Sequence, residues 1–247
     1  MVDRFKTYPS FLFFIKKIME DKIAIVFCSR KKSEELDDFI LHLRETCGCD
    51  SHVYSIYNPD GMSLSRIYAD IVDSTEVDSD VIVFVHDDIE FLRDGWGAEV
   101  LRLFKENEKY GIIGVAGSAQ FDSQAAWWNY KKIFGQVLHR SEGKSWLTAF
   151  SPLLEKDLQE VAVIDGLFIA INKNIITANF NRDLDGFDMY DIDFCLSNLI
   201  DGKCKIGVTT NIRLAHNSVG RLKDSWYVNR DKVNEKFGSH YPIDVLK

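Results

Sequence analysis

Asp80-Val81-Ile82-Val83-Phe84-Val85-His86-Asp87-Asp88 decides the reading of this chain: five consecutive apolar residues give way abruptly to an imidazole and two carboxylates. An apolar run of this length is predicted to be a central strand covered on both faces. The acids behind it then stand at the carboxyl edge of a sheet, where loops and helix N-termini converge and where open α/β sheets bind their ligands. Asp87 and Asp88 are therefore candidate ligand residues, held by a rigid strand. The competing reading is a turn that solvates two charges.

Working outward, the same rhythm continues on both sides. Lys22 to Ser29 is a second apolar run ending in polar residues, as a buried parallel strand does at its carboxyl edge. Leu36, Phe39, Ile40 and Leu43 keep helical spacing, with Ser33 as a cap and Gly48 as a stop. His52 to Tyr57 reads as a strand, Asn58-Pro59-Asp60-Gly61 as a turn, and Ser63 to Ser74 as a helix. Downstream, a helix is predicted over Trp96 to Lys109, and strands over Gly111 to Ala116, Glu160 to Ala170 and Ile206 to Ala215. A helix is predicted from Asp188 to Asp201, and another near Ser225. Phe121 to Phe150, with Trp127, Trp128, Tyr130 and Trp146 among glycines and charges, keeps neither period and reads as irregular. Large aromatics in such loops build either a binding wall or a lid over the core. Strands alternating with helices predict an α/β fold with a mixed, mainly parallel sheet flanked by helices. The expectation is a single domain with a first half at about 20–120 and a second at about 121–247.

Composition narrows the function classes. With 46% hydrophobic and 13% aromatic residues over 247 positions, the chain has material for a large core. A net charge of −8 without a basic stripe argues against nucleic acid as a partner. An acidic protein that binds an anionic ligand needs amides, local cations or a metal ion to offset repulsion. Five cysteines, with Cys47-Gly48-Cys49 too closely spaced for half a zinc site, read as reduced thiols. No apolar run reaches bilayer-spanning length and no cleavable leader is recognisable, so the expected location is cytoplasmic. Phe11 to Ile18 is the one stretch suited to peripheral contact at the inner face of a membrane; the competing reading is a core element.

Val81 to Phe91, VIVFVHDDIEF, resembles the metal-binding acidic motif of nucleotide-sugar-dependent glycosyltransferases of the GT-A (Rossmann-like) fold, in particular the bacterial family-two-like enzymes. The resemblance implies Asp87 at the donor ribose or metal, Asp88 on the metal, and His86 where relatives carry a first aspartate. It implies that Ser29 and Arg30 after the first strand, and Asn58 after the second, hold the nucleotide. VAVIDGLFIA at 161–170 looks like the segment that contacts donor or acceptor sugar, through Asp165 and Gly166. FDMYDIDF at 187–194 looks like the acidic motif that supplies the catalytic base, with Tyr190 in place of a glutamate. Two carboxylates two apart on a helix point in different directions. Asp191 is thus the first candidate base, with Asp193 as the substitute; the competing reading is helix capping. IRLAHNSVG at 212–220 resembles the strand whose histidine, here His216, completes the metal site. The implied chemistry is transfer of a sugar from a nucleoside diphosphate, a uridine one favoured, to a hydroxyl of a glycan or lipid-linked acceptor, inverting, with Mn2+ or Mg2+ and a polysaccharide product. Arg140, Lys144, Arg213 and Arg221 are candidate diphosphate or acceptor contacts. Rival readings are a metal-dependent phosphoesterase or nucleotidyltransferase and a carbohydrate- or nucleotide-binding module without turnover.

Overall fold

A computed structural model describes residues 21–151, 154, 156–200, 204–218 and 222–247. The amphipathic stretch from Phe11 to Ile18, and Arg221, lie outside these residues. Among the described residues, no helix is long and apolar enough to cross a membrane.

The first strands form where the apolar runs predict them. β1 spans Lys22–Ser29, β2 Asp50–Tyr57 and β3 Val81–His86. They pair in parallel, with β1 between β2 and β3. On the other side of β3, Phe168–Asn172 enters antiparallel, followed by Tyr110–Gly114, Lys205–Val208 and Gln159–Val161 in a seven-stranded sheet. Five of the seven strands run the same way, because the antiparallel pairings confine reversal to Phe168–Asn172 and Gln159–Val161. The fold is the expected α/β arrangement around a mainly parallel sheet. The two sequence halves share that sheet, since strands of the second half pair directly with β3 and with Tyr110–Gly114.

Val81 to Val85 are fully buried, so both faces of β3 are covered. Helices flank the sheet: α1 (Asp37–Cys47) lies against β2, α3 (Trp96–Glu106) against β1 and Tyr110–Gly114, α2 (Leu64–Asp73) reaches β3, and α4 (Tyr190–Ile200) lies against Lys205–Val208 and Val163–Ile164 with α5 (Asp224–Phe237) packed on it. Phe84 meets Tyr68 of α2 at 4.3 Å between ring centroids and Phe180 at 5.3 Å, and Phe180 stacks on Phe194 of α4. Trp96 of α3 stacks on Phe91 and abuts Phe168. α1 stops at Gly48, whose φ of 79° is left-handed and which faces Gly95 so closely that a Cβ would sit 2.6 Å from its Cα.

Four predicted segments turn out differently. The strand expected over Gly111 to Ala116 is two, Tyr110–Gly114 and Ala116–Ser118, and that expected over Glu160 to Ala170 is three, Gln159–Val161, Val163–Ile164 and Phe168–Asn172, with Ala116–Ser118 and Val163–Ile164 leaving the large sheet for another. The stretch read as irregular contains a long hairpin, Ile133–Ser141 paired with Lys144–Ala149. Its apolar residues come as adjacent pairs, Ile133-Phe134, Val137-Leu138 and Trp146-Leu147, so the two-residue alternation that announces a strand is missing. The strand expected over Ile206 to Ala215 is two, Lys205–Val208 and Leu214–His216, which belong to different sheets. The second sheet runs Val163–Ile164, Ala116–Ser118, Ile133–Ser141, Leu214–His216, Ile89–Phe91. It carries His216 to the end of β3.

Candidate active site

β3 ends at His86, and the chain turns through Asp87 and Asp88 into the short strand Ile89–Phe91. That strand pairs antiparallel with Leu214–His216 in a register that sets His216 opposite Ile89, and the amide of Asn217 donates to the carbonyl of Asp88 at 2.8 Å. A slip of one residue would turn His216 to the other face. In the observed register, Asp88 Oδ1 lies 3.3 Å from His216 Nε2. Ligand atoms of His86, Asp88 and His216 all fall within 4.8 Å of one another. Beyond this ion-pair contact with His216, Asp88 Oδ1 is buried without a hydrogen bond, a state that costs free energy unless positive charge meets it. Two imidazole nitrogens and a carboxylate oxygen suit a divalent ion of the manganese or zinc kind better than calcium.

Electrostatics agree with that grouping. Burial, and then the neighbouring His216, hold the pKa of His86 below the usual imidazole range. Burial would also raise Asp88 and lower His216, but the close approach of their opposite charges outweighs it. Asp88 is pushed down to about 2, and His216 is raised.

The three residues sit in the wall of a cavity of about 650 Å³. Ser29, Arg30, Asn58 and Asp87 line it as well, and Phe187, Asp188 and Lys223 close its far side. Asp87 accepts a 2.5 Å hydrogen bond from the hydroxyl of Ser29, which in turn accepts from the amide of Lys31. Asn58 spends its side chain on its own turn, accepting from Met62 N at 2.8 Å and donating to Met62 O at 2.9 Å. It shapes the loop rather than presenting a free amide. Arg30 lies over the ring of Phe187 at 5.9 Å, across the mouth.

A second cavity of about 460 Å³ adjoins the first, with His86, Phe187 and Asp188 lining both. Asp165, Gly166 and Asp191 open onto it, facing Trp127, Trp128 and Trp226. Burial, and then the charge of Asp165, push Asp191 up to about 7, which poises the carboxylate for proton transfer near neutrality. Asp165 accepts from the amide of Leu167 at 3.0 Å and thereby caps its own turn. A Cβ on Gly166 would stand 2.3 Å from the Tyr190 hydroxyl and 3.1 Å from an Asp191 oxygen, so this glycine first of all admits its neighbours.

The sequence-derived residues thus divide. Ser29, Arg30, Asn58, Asp87, Asp88 and His216 meet in the first cavity; Asp165, Gly166 and Asp191 meet in the second. Asp193 joins neither. Its carboxylate is buried, bonded to Lys236 Nζ at 2.8 Å, Asn181 at 3.1 Å and Ser197 at 3.3 Å, and its place is a brace between α4 and α5. Arg140 is engaged by Glu90. Sequence reasoning offered a binding wall as one reading of Trp127 and Trp128, which line the second cavity, but missed Phe187, Asp188 and Trp226 as cavity residues and saw Tyr190 only as an absent glutamate. The one available signal was that FDMYDIDF mixes aromatics with acids at a helix start.

A family model described as a glycosyltransferase-like family matches residues 24–237. The chain belongs to that family. The match spans both cavities and all three candidate metal ligands. Among solved structures, the transferase is similar to the catalytic domain of Drosophila β1,4-galactosyltransferase 7 complexed with xylobiose, at 13% identity, a TM-score of 0.47, 83% of this chain and 78% of that one. It is also similar to a mutant of the same Drosophila enzyme with manganese, UDP-Gal and xylobiose, at 12% identity, a TM-score of 0.48, 83% of this chain and 77% of that one. A third similarity is to A197 from STIV, at 11% identity, a TM-score of 0.39, 82% of this chain and 98% of that one. No curated protein matches the sequence.

Proposed function

We propose that the enzyme transfers a sugar from a nucleoside diphosphate sugar in the larger cavity to an acceptor hydroxyl in the smaller one, with inversion at the anomeric carbon. The observation that carries this reading is the convergence of His86, Asp88 and His216 in the wall of the larger cavity, with a buried Asp88 oxygen that makes no hydrogen bond and meets only the His216 imidazole. A divalent cation held by these residues supplies Lewis acidity toward the departing diphosphate. Ser29 orients Asp87 toward the donor, and Arg30 and Lys223 bring positive charge to a cavity that otherwise presents acids. Asp191 takes the proton of the acceptor hydroxyl as that oxygen attacks. A base lining a different cavity from the leaving group favours direct displacement and hence inversion. The tryptophans across from Asp191 suit a pyranose face, as aromatic walls do, which supports a glycan acceptor.

The test is a panel of nucleotide sugars, uridine diphosphate sugars first, incubated with Mn2+ with and without oligosaccharide acceptors. Release of nucleoside diphosphate together with a glycosylated product is the expected result. Binding without release would make the chain a nucleotide-sugar-binding module, and hydrolysis of simple phosphoesters would make it a phosphoesterase.

A further inference from the structure

Tyr190, the first residue of α4, buries its hydroxyl between two partners. The carbonyl oxygen of Gly166 and Nε2 of His86 each lie 3.0 Å from it. A carbonyl only accepts, and a phenol has one proton to give. Once that proton goes to Gly166, the Tyr190 oxygen faces His86 as an acceptor, so Nε2 of His86 carries the imidazole proton. We infer that Tyr190 is a positioning residue that fixes His86 as the Nε2–H tautomer and leaves Nδ1 as the lone pair His86 offers to a cation. The inference rests on the metal reading above and extends it by assigning the donor atom and the residue that selects it.

Three features hold the phenol in this place. Gly166 has no Cβ, which would otherwise stand 2.3 Å from the Tyr190 hydroxyl. The ring is set edge-on against Tyr68, at 5.6 Å and 82°. Met189, buried just before it, has a φ of 65°, a left-handed conformation uncommon outside glycine and sustained where the surroundings demand it. Chemistry also explains why a phenol serves here. A carboxylate at 190 would accept the same proton but add negative charge beside Asp165 and Asp191, which already repel one another. Tyrosine supplies an acceptor without charge. A metal-bound histidine ordinarily has its other nitrogen held in this way, and loss of the partner weakens metal binding by about 10–100-fold.

The experiment uses the whole protein labelled with 15N-histidine and free of metal, with His86→Gln assigning the His86 resonances. Long-range 1H–15N correlations are expected to show the Nε2–H pattern for His86 in the wild type and mixed tautomers in Tyr190→Phe. Mn2+ titrations read by electron paramagnetic resonance are expected to show at least about tenfold weaker binding in Tyr190→Phe, in a variant that still melts cooperatively. A wild-type His86 protonated at Nδ1 overturns the proposal whether or not the variant folds. So does a Tyr190→Phe protein that melts normally and binds Mn2+ as tightly as the wild type. A wild type with the Nε2–H pattern that binds no Mn2+ overturns the metal reading beneath it, and with it the ligand role of His86.

Discussion

At the scale of single residues, Asp191 joins an activity prediction to a stability prediction. Burial, then Asp165, raise its pKa to about 7, well above the ordinary carboxyl value. Between about pH 4 and 7 the folded protein therefore holds a proton that the unfolded chain has released. The contribution of Asp191 to stability falls as pH rises through this window and stays unfavourable above it. Asp191→Asn is expected to lower kcat about 10²–10⁴-fold, while stabilising the protein at pH 8 by on the order of 1–3 kcal/mol, a figure reduced because the carboxylate opens onto the cavity. Initial rates and urea midpoints measured on one preparation check both. In the wild type, kcat should fall about tenfold per pH unit below pH 7. A variant that loses activity and stability together would make Asp191 a structural acid. Asp88→Asn is predicted to weaken Mn2+ binding at least about tenfold by calorimetry, because it removes the one anionic ligand of the three-residue cluster.

The elements divide labour in a way that a second pair of variants exposes. Asp191 and Asp193 both lie in the first turn of α4, yet one faces the cavity and the other is buried against α5. Lys236 is the cation that makes burial of Asp193 tolerable. Lys236→Met should cost about 2–4 kcal/mol, since a buried charge is left unpaired although water reaches the Lys236 side of the pair. KM and kcat are expected to change less than about threefold, the two carboxylates acting separately. A large fall in kcat with normal stability would move Asp193 into the chemistry. Helix periodicity showed in advance that only one acid of this pair could face the site. It could not say which, because the answer depends on Gly166 and Tyr190 lying on one side of α4 and Lys236 on the other.

Over the whole molecule, ligand binding should be visible as stability, because the larger cavity draws on β1, the turn after β2, the end of β3 and the strand bearing His216. Uridine diphosphate at 100 times its dissociation constant is expected to stabilise the protein by about 2.7 kcal/mol. That shift should be seen with Mn2+ and largely vanish with EDTA, as differential scanning fluorimetry can show. An equal shift without metal would detach nucleotide binding from the cation. Much of this architecture was legible in the chain itself. Uninterrupted apolar runs such as Val81 to Val85 demand cover on both faces, and that demand is local enough to specify the central sheet and the edge at which Asp87 and Asp88 emerge. Pattern alone could not reveal the hairpin at 133–149, whose apolar residues come in adjacent pairs rather than alternating, or the break between Lys205–Val208 and Leu214–His216. The resemblance implied that His216 joins Asp88; tertiary structure supplied the means, the register of a three-residue strand pair, and it alone decided that Tyr190 meets His86 beside the missing Cβ of Gly166. Burial is encoded in residue type, position by position, whereas a contact between residues about a hundred positions apart depends on the register and packing of everything between them.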